Sequence, residues 1–179
     1  ENVKEYKIKR LFYASSSSVY GENNNFPINE REVVSPKNIY GLSKKVNEEI
    51  SLIFNKFYKV KVTGLRFFTI YGEWGRPDMM MHKFIESYFK KKIFKLYNFG
   101  NHVRDFTYVG DASNIMYLLL KKHRKLKSYD IFNICSNNPV KLDNIISFMR
   151  KNNIDPKIKK INLQKGDILK THGDNSKLL

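Results

Sequence analysis

In the run IYGLSKK a tyrosine and a lysine stand four residues apart, Tyr40 and Lys44. A free phenol titrates at about 10 and is a poor base at neutral pH, but an ammonium group close by favours the phenolate. Earlier in the chain, LFYASSSSVYG passes from an apolar stretch into four consecutive serines, Ser15 to Ser18. A serine hydroxyl beside the tyrosine can share the proton of a substrate alcohol, and the three groups then form a general acid and base suited to alcohol oxidation. Each half alone has a plainer explanation. Serines at a strand end can satisfy backbone groups in a turn, and Y-x-x-x-K occurs on many surface helices. Their combination is much rarer.

Tyr40 and Lys44 share a face if their segment is helical, and the pattern after Pro36 predicts a helix over Ile39–Tyr58. Further helices are predicted over Met80–Lys91, Gly110–Lys122 and Lys141–Asn152. Strands are predicted over Leu11–Ser15, Val62–Phe68, Lys95–Tyr97 and Ile131–Ile134, with another short one near Ile158–Leu163. This alternation is that of an α/β layered domain. In open α/β sheets ligands bind outside the carboxyl ends of the strands. The segments SSSSVYG and TIYGEWGRPD, which follow the first two strands, are therefore where chemistry is expected. ENNNFPINE and YGEWGRPD carry turn residues, no internal repeat is visible, and one compact unit is expected.

With 179 residues, of which 41 % are hydrophobic and 14 % aromatic, the chain is long and apolar enough for one packed domain and excludes a disordered segment. Its net charge of +16 comes mostly from lysines spread along the chain. A nucleic-acid module would need a lysine stripe interleaved with exposed aromatics, or a recognisable motif, and neither is present. No apolar stretch reaches the roughly 20 residues of a membrane span, and ENVKEYKIKR lacks the apolar core of a signal peptide, so the expected location is the cytoplasm. Cys135 is the single cysteine, which rules out an internal disulfide or a cysteine metal cluster. His82, His102, His123 and His172 lack metal-ligand spacing, and no metal site is expected. Residues 1–10 read as the end of a helix without a start signal, while GDNSKLL opens a helix, with Asp174 or Asn175 as N-cap, and stops. A chain cut at both ends is expected.

Five blocks in order, LFYASSSSVYG, SPKNIYGLSKKVNEE, TGLRFFTIYGEWGRPDMM, NFGNHVRDFTYVGD and QKGDILKTHGDNSKL, give this chain a pattern that resembles the extended short-chain dehydrogenase/reductases, the NAD-dependent nucleotide-sugar epimerases and dehydratases. The resemblance implies the C-terminal part of a Rossmann-type doubly wound parallel sheet, with residues 1–72 carrying the catalytic Ser, Tyr and Lys. Residues 73–179 would be mainly the smaller nucleotide-sugar-binding α/β portion, interleaved with the last Rossmann elements. By position the catalytic hydroxyl falls on Ser16, the tyrosine on Tyr40 and the lysine on Lys44. Tyr40 would take the proton of the sugar 4-hydroxyl as hydride leaves carbon 4 for the nicotinamide. Lys44 would hold the cofactor ribose, with Ala14 and Ser15 also against the NAD. In an epimerase the 4-keto sugar then turns over and the hydride returns to its other face.

Two positions sort the subfamilies. The 4,6-dehydratases carry Asp-Glu where this chain has Ser17 and Ser18, and UDP-glucuronate decarboxylases tend to have Glu at the position of Ser18. Eliminating water needs an added acid and base, so both readings weaken. RFFTIYGEWGRPDMM is most similar to the UDP-glucuronate 4-epimerases. A uronate oxidised at carbon 4 is a β-keto acid prone to lose carbon dioxide; Ser16, Ser17, Ser18, Thr69 and Arg76 could bind its carboxylate and restrain that loss. Arg104 matches the arginine that binds the UDP diphosphate. Asp167 matches a carboxylate that contacts the nucleotide ribose, and Tyr97 is placed either to pack on uracil or as plain core. Asp105 and Asp111 are expected to fix local structure.

The implied activity is 4-epimerisation of UDP-glucuronate to UDP-galacturonate. The alternatives are a UDP-glucose or UDP-N-acetylglucosamine 4-epimerase, or another nucleotide-sugar dehydratase or decarboxylase. The family's glycine-rich dinucleotide fingerprint would precede Glu1 and does not occur in the sequence. A homodimer is expected for the full-length protein. The isolated segment, with an exposed sheet edge, is expected to be unstable and inactive.

Overall fold

The computed structural model describes residues 5–6 and 8–178. Its centre is β2, Val62–Phe67, whose first five residues are buried. A strand covered on both faces and paired on both edges carries apolar residues on both sides. It pairs in parallel with β1, Leu11–Ser16, and with β6, Tyr129–Ile134. Ser16, Phe67 and Ile134 stand in register, so all three strands open their carboxyl ends on the same side. A second sheet joins β3, Thr69–Tyr71, in parallel to β5, Val103–Tyr108, which pairs antiparallel with β7, Pro139–Lys141. A third pairs β4, Phe94–Tyr97, with β8, Ile158–Ile161, also in parallel. The expected α/β class with a parallel, Rossmann-type sheet is found. β6, from the second half of the chain, joins the sheet of β1 and β2.

Among the described residues four helices lie between these strands: α1, Ile39–Tyr58; α2, Met80–Phe89; α3, Val109–Lys121; and α4, Leu142–Lys151. Leu65, Phe132 and Ile134 of the first sheet pack against Ala112 and Leu119 of α3. Phe84 and Ile146 of α2 and α4 pack on Phe94 and Leu96 of β4. A third cluster gathers Val19, Tyr20, Ile28, Phe68 and Cys135 behind the serine run. Among the described residues no helix is long and apolar enough to cross a membrane, and no group of His, Cys, Asp or Glu could hold a metal ion.

Most elements differ from the sequence expectation by one or two residues at an end, but three strands are additions. β3 and β7 are three residues each, too short for a periodicity to show. β5 is concealed because its buried positions, Asp105 and Thr107, are polar. The described residues of GDNSKLL, 173–178, include a single 3₁₀ turn, Ser176–Leu178, where Asp174 Oδ1 accepts from the Ser176 N–H at 2.8 Å. Most of the helix end expected over residues 1–10 lies outside the described residues or has no helical assignment.

Candidate active site

β1 runs one residue beyond its expected end, which makes Ser16 its last residue. Ser16 is extended and caps a 3₁₀ turn over Ser17–Val19, its Oγ accepting from the Ser18 N–H at 3.2 Å. The serine run thus satisfies a turn and also presents hydroxyls at a strand end. Neighbouring residues of a strand point to opposite faces. Ser15 turns its hydroxyl the other way and donates to Glu48 Oε1 at 2.5 Å. Its side chain is buried and engaged, although the residue also lines a cavity.

Glu48 lies on α1 and is also bound by both arms of Arg66 from β2, with Nε to Oε1 at 2.9 Å and Nη2 to Oε2 at 2.8 Å. The Arg66 guanidinium stacks 4.6 Å from the centre of the Tyr20 ring, and the Tyr20 hydroxyl donates to Asn133 Oδ1 at 2.7 Å. A buried polar chain therefore runs from Ser15 on β1 across β2 to Asn133 on β6. Burial works against the Arg66 charge, but Glu48 outweighs it and the guanidinium pKa rises above its ordinary value.

Helix α1 starts at the serine turn. Asn38 caps it, Oδ1 accepting from the Gly41 N–H at 2.8 Å. A side chain at Gly41 would put Cβ 2.5 Å from the Ser18 carbonyl oxygen, so glycine permits the close approach of the helix to the turn. Tyr40 and Lys44 thereby reach the same cavity as Ser16. Lys44 Nζ lies 5.7 Å from the centre of the Tyr40 ring and donates to the Ala14 carbonyl at 3.0 Å. Tyr40 is half exposed.

This cavity, about 580 Å³, is lined by Ala14, all four serines, Tyr40, Lys44, Thr69 and Arg76, among others. A second cavity of about 610 Å³ holds Tyr97, His102, Arg104 and Asp167. The two have a common wall in Thr69 to Glu73, Gly75, Arg76 and Met79. All twelve residues picked out in the sequence thus line one or both cavities, with a hydroxyl and phenol end and a cationic end.

At the cationic end Arg104 donates to the Leu169 carbonyl at 3.0 Å and to Asp167 Oδ1 at 3.1 Å. Burial lowers the Arg104 pKa and Asp167 opposes that. Burial also disfavours the Asp167 carboxylate, yet His102 and Arg104 together hold its pKa below the ordinary carboxylate range. Arg76, exposed at the common wall, turns its fork onto Asp78, with Nε to Oδ1 at 3.0 Å. Asp105 is fully buried and accepts from the Ser136 N–H and hydroxyl and from the Gly173 N–H. It fastens β5 to the segments after β6 and after Asp167. Asp111 lies in the first turn of α3, where a negative charge suits the helix terminus.

Several cavity residues escape a linear reading. Glu73 accepts from the Tyr108 hydroxyl at 2.9 Å, and Trp74, fully exposed with φ at 59°, stands on the same loop. His102 is buried with Nε2 3.0 Å from Asp167 Oδ2. The available signal was its spacing of two from Arg104, which places both on one side of an extended segment.

A family model described as NAD dependent epimerase/dehydratase matches residues 1–135. An uncharacterized protein of Methanocaldococcus jannaschii is 40 % identical over 99 % of this chain and 54 % of its own length. A UDP-glucuronate 4-epimerase of Thermodesulfobacterium geofontis is 32 % identical over 99 % of this chain and 54 % of its own. Among solved structures, the UDP-glucuronic acid 4-epimerase of Bacillus cereus, in complex with UDP-glucuronic acid and NAD, superposes with a TM-score of 0.92 at 27 % identity. It covers 98 % of this chain and 56 % of that one. The chain spans a little over half the length of both of these relatives.

Proposed function

The chain belongs to the NAD dependent epimerase/dehydratase family, and from that premise we propose that it works in an NAD-dependent nucleotide-sugar epimerase, converting UDP-glucuronate to UDP-galacturonate through a 4-keto sugar. The observation that carries this reading is the run of one wall, Thr69 to Met79, between a cavity with Ser16, Tyr40 and Lys44 and a cavity with Arg104 and Asp167. Such a cleft suits an elongated ligand with an alcohol at one end and an anionic nucleotide at the other.

The residues present fit the nicotinamide-ribose end of NAD: the Lys44 ammonium and the Ala14 and Ser15 main chain line the cavity beside Tyr40. Bound there, NAD would supply a hydride acceptor for carbon 4 of the sugar and, reduced, a hydride donor to its opposite face. Tyr40 takes the proton of the 4-hydroxyl and gives it back, and the Ser16 hydroxyl shares that proton. Lys44, whose Nζ donates to the Ala14 carbonyl at 3.0 Å, holds a ribose hydroxyl. Arg104 receives the diphosphate, Asp167 the nucleotide ribose, and Tyr97 packs on the uracil. Ser17, Ser18 and Thr69 offer hydroxyls to the sugar and no acid for dehydration.

Tyr40→Phe tests the assignment: turnover should fall by orders of magnitude while UDP-sugar binding persists, and retained turnover would overturn it. One observation favours a second reading. The Arg76 fork is occupied by Asp78, which leaves it less free for a uronate and suits a neutral UDP-glucose or UDP-N-acetylglucosamine. Comparing acidic and neutral sugars in wild type and Arg76→Ala separates the two, because only a uronate enzyme loses its acidic substrate selectively.

A homodimer is part of the same proposal. Ile39, Leu42, Val46, Ile50, Ile53 and Phe57 leave an exposed apolar stripe at helical spacing along α1. Light scattering of the protein tests it. A cytoplasmic enzyme supplying UDP-galacturonate for surface polysaccharide completes the proposal.

A further inference from the structure

His102 is 3 % exposed, and its main chain is pinned on both sides: its N–H donates to the Gly100 carbonyl at 2.8 Å and its carbonyl accepts from Leu142 at 3.0 Å. The ring is therefore held in place by β4's following turn and the start of α4. Its Nε2 stands 3.0 Å from Asp167 Oδ2, while Arg104 Nη2 stands 3.1 Å from Asp167 Oδ1. A bare ring nitrogen there would set its lone pair against a carboxylate lone pair, so Nε2 carries hydrogen. That hydrogen is off the line to Oδ2, and Nε2 is a buried donor without a well-aligned acceptor among the described residues. Leaving such a donor unmet is unfavourable. Turning the Asp167 carboxylate, whose Oδ2 already stands 3.0 Å away, would meet it.

We infer that His102 is a positioning residue: with Arg104 it grips one carboxylate oxygen each of Asp167 and aims the remaining lone pairs into the cavity, at the diol of a nucleoside diphosphate. Asp167 is suited to this, since its side chain keeps 30 % of its exposure while those of His102 and Arg104 keep 4 % and 18 %. The inference rests on the proposal that Asp167 faces the nucleotide ribose. It adds that the selectivity for the diol depends on a donor at the place of His102 Nε2.

Calorimetry with UDP and 2′,3′-dideoxy-UDP tests both layers. Glutamine places an amide nitrogen where histidine has Nε2, and asparagine places it at the Nδ1 position. Wild type should prefer UDP by at least about tenfold, the change expected for one charge-assisted hydrogen bond. Asp167→Asn should reduce that preference to about twofold or less; if it leaves the preference intact, the reading of Asp167 is wrong regardless of His102. Given a loss in Asp167→Asn, His102→Gln should keep the preference and His102→Asn should lose it, with melting temperatures alike. Preference retained in His102→Asn or lost in His102→Gln overturns the inference. Should His102→Asn fail to fold, His102→Gln decides alone by the same criterion.

Discussion

Replacing Glu48 by glutamine keeps the shape of the side chain and removes its charge. In the native protein the carboxylate receives three donors, Ser15 Oγ at 2.5 Å and Arg66 Nε and Nη2 at 2.9 and 2.8 Å. The side chains of Arg66 and Glu48 are only 4 % and 7 % exposed. In Glu48→Gln one of the two acceptor oxygens becomes an amide that faces another donor. Arg66 keeps the Glu30 carbonyl at 3.2 Å and the Tyr20 ring, neither of which neutralises it. Stranding one partner of a buried ion pair costs about 3–5 kcal/mol, and the oxygen that glutamine retains sets the expectation at about 3 kcal/mol. Against a total of about 5–15 kcal/mol this is a large fraction. At about 2–4 °C per kcal/mol for a domain of this size, the melting temperature should fall by on the order of 10 °C. Urea unfolding should show a lower midpoint with an unchanged slope. Adding Arg66→Met removes the stranded charge and should restore part of the loss. A loss under about 1 kcal/mol, or no recovery in the double variant, would refute the assignment of a buried, uncompensated charge.

Gly41→Ala places a methyl 2.5 Å from the Ser18 carbonyl, so α1 must back away from the serine turn and carry Tyr40 off Ser16; turnover should fall by about tenfold or more, as for a displacement near 1 Å, with most of the UDP affinity kept. Burial pushes the Tyr20 phenol up to about 12, whereas in the unfolded chain it ionises at about 10. The neutral phenol therefore stabilises the fold fully below about pH 10 and loses that contribution as pH rises through the folded value, on the order of 2 kcal/mol in all. Tyr20→Phe should be less stable than wild type at pH 7 and show a shallower decline between pH 10 and 12, and equal slopes in alkaline urea melts would count against it. Cys135 is buried and its thiol is pushed well above the ordinary range, so iodoacetamide at pH 8 should label it only after unfolding, as followed by mass spectrometry.

The residues of distinctive chemistry were the legible ones. Tyr40, Lys44 and the serines announce themselves by type and spacing, and the strand-end rule places them at an opening. Glu48 was opaque because a glutamate midway along an amphipathic helix resembles a solvated charge; only the arrival of Arg66 from β2 makes it a buried one. β5 was opaque for a related reason, since Asp105 and Thr107 occupy the inward positions that periodicity expects to be apolar. The grip of His102 and Arg104 on Asp167 joins positions more than sixty residues apart, separated by α3, β6, β7, α4 and β8. Composition leaves no trace of such a contact.

The wall from Thr69 to Met79 borders two compartments at once. Whatever displaces that wall from one side shifts the energy of occupancy on the other, and equilibrium makes the influence mutual: the factor by which a nucleotide alters affinity at the Tyr40 end equals the factor by which a ligand there alters affinity for the nucleotide. A wall shared in this way would, in thermodynamic terms, couple the two ends of the cleft.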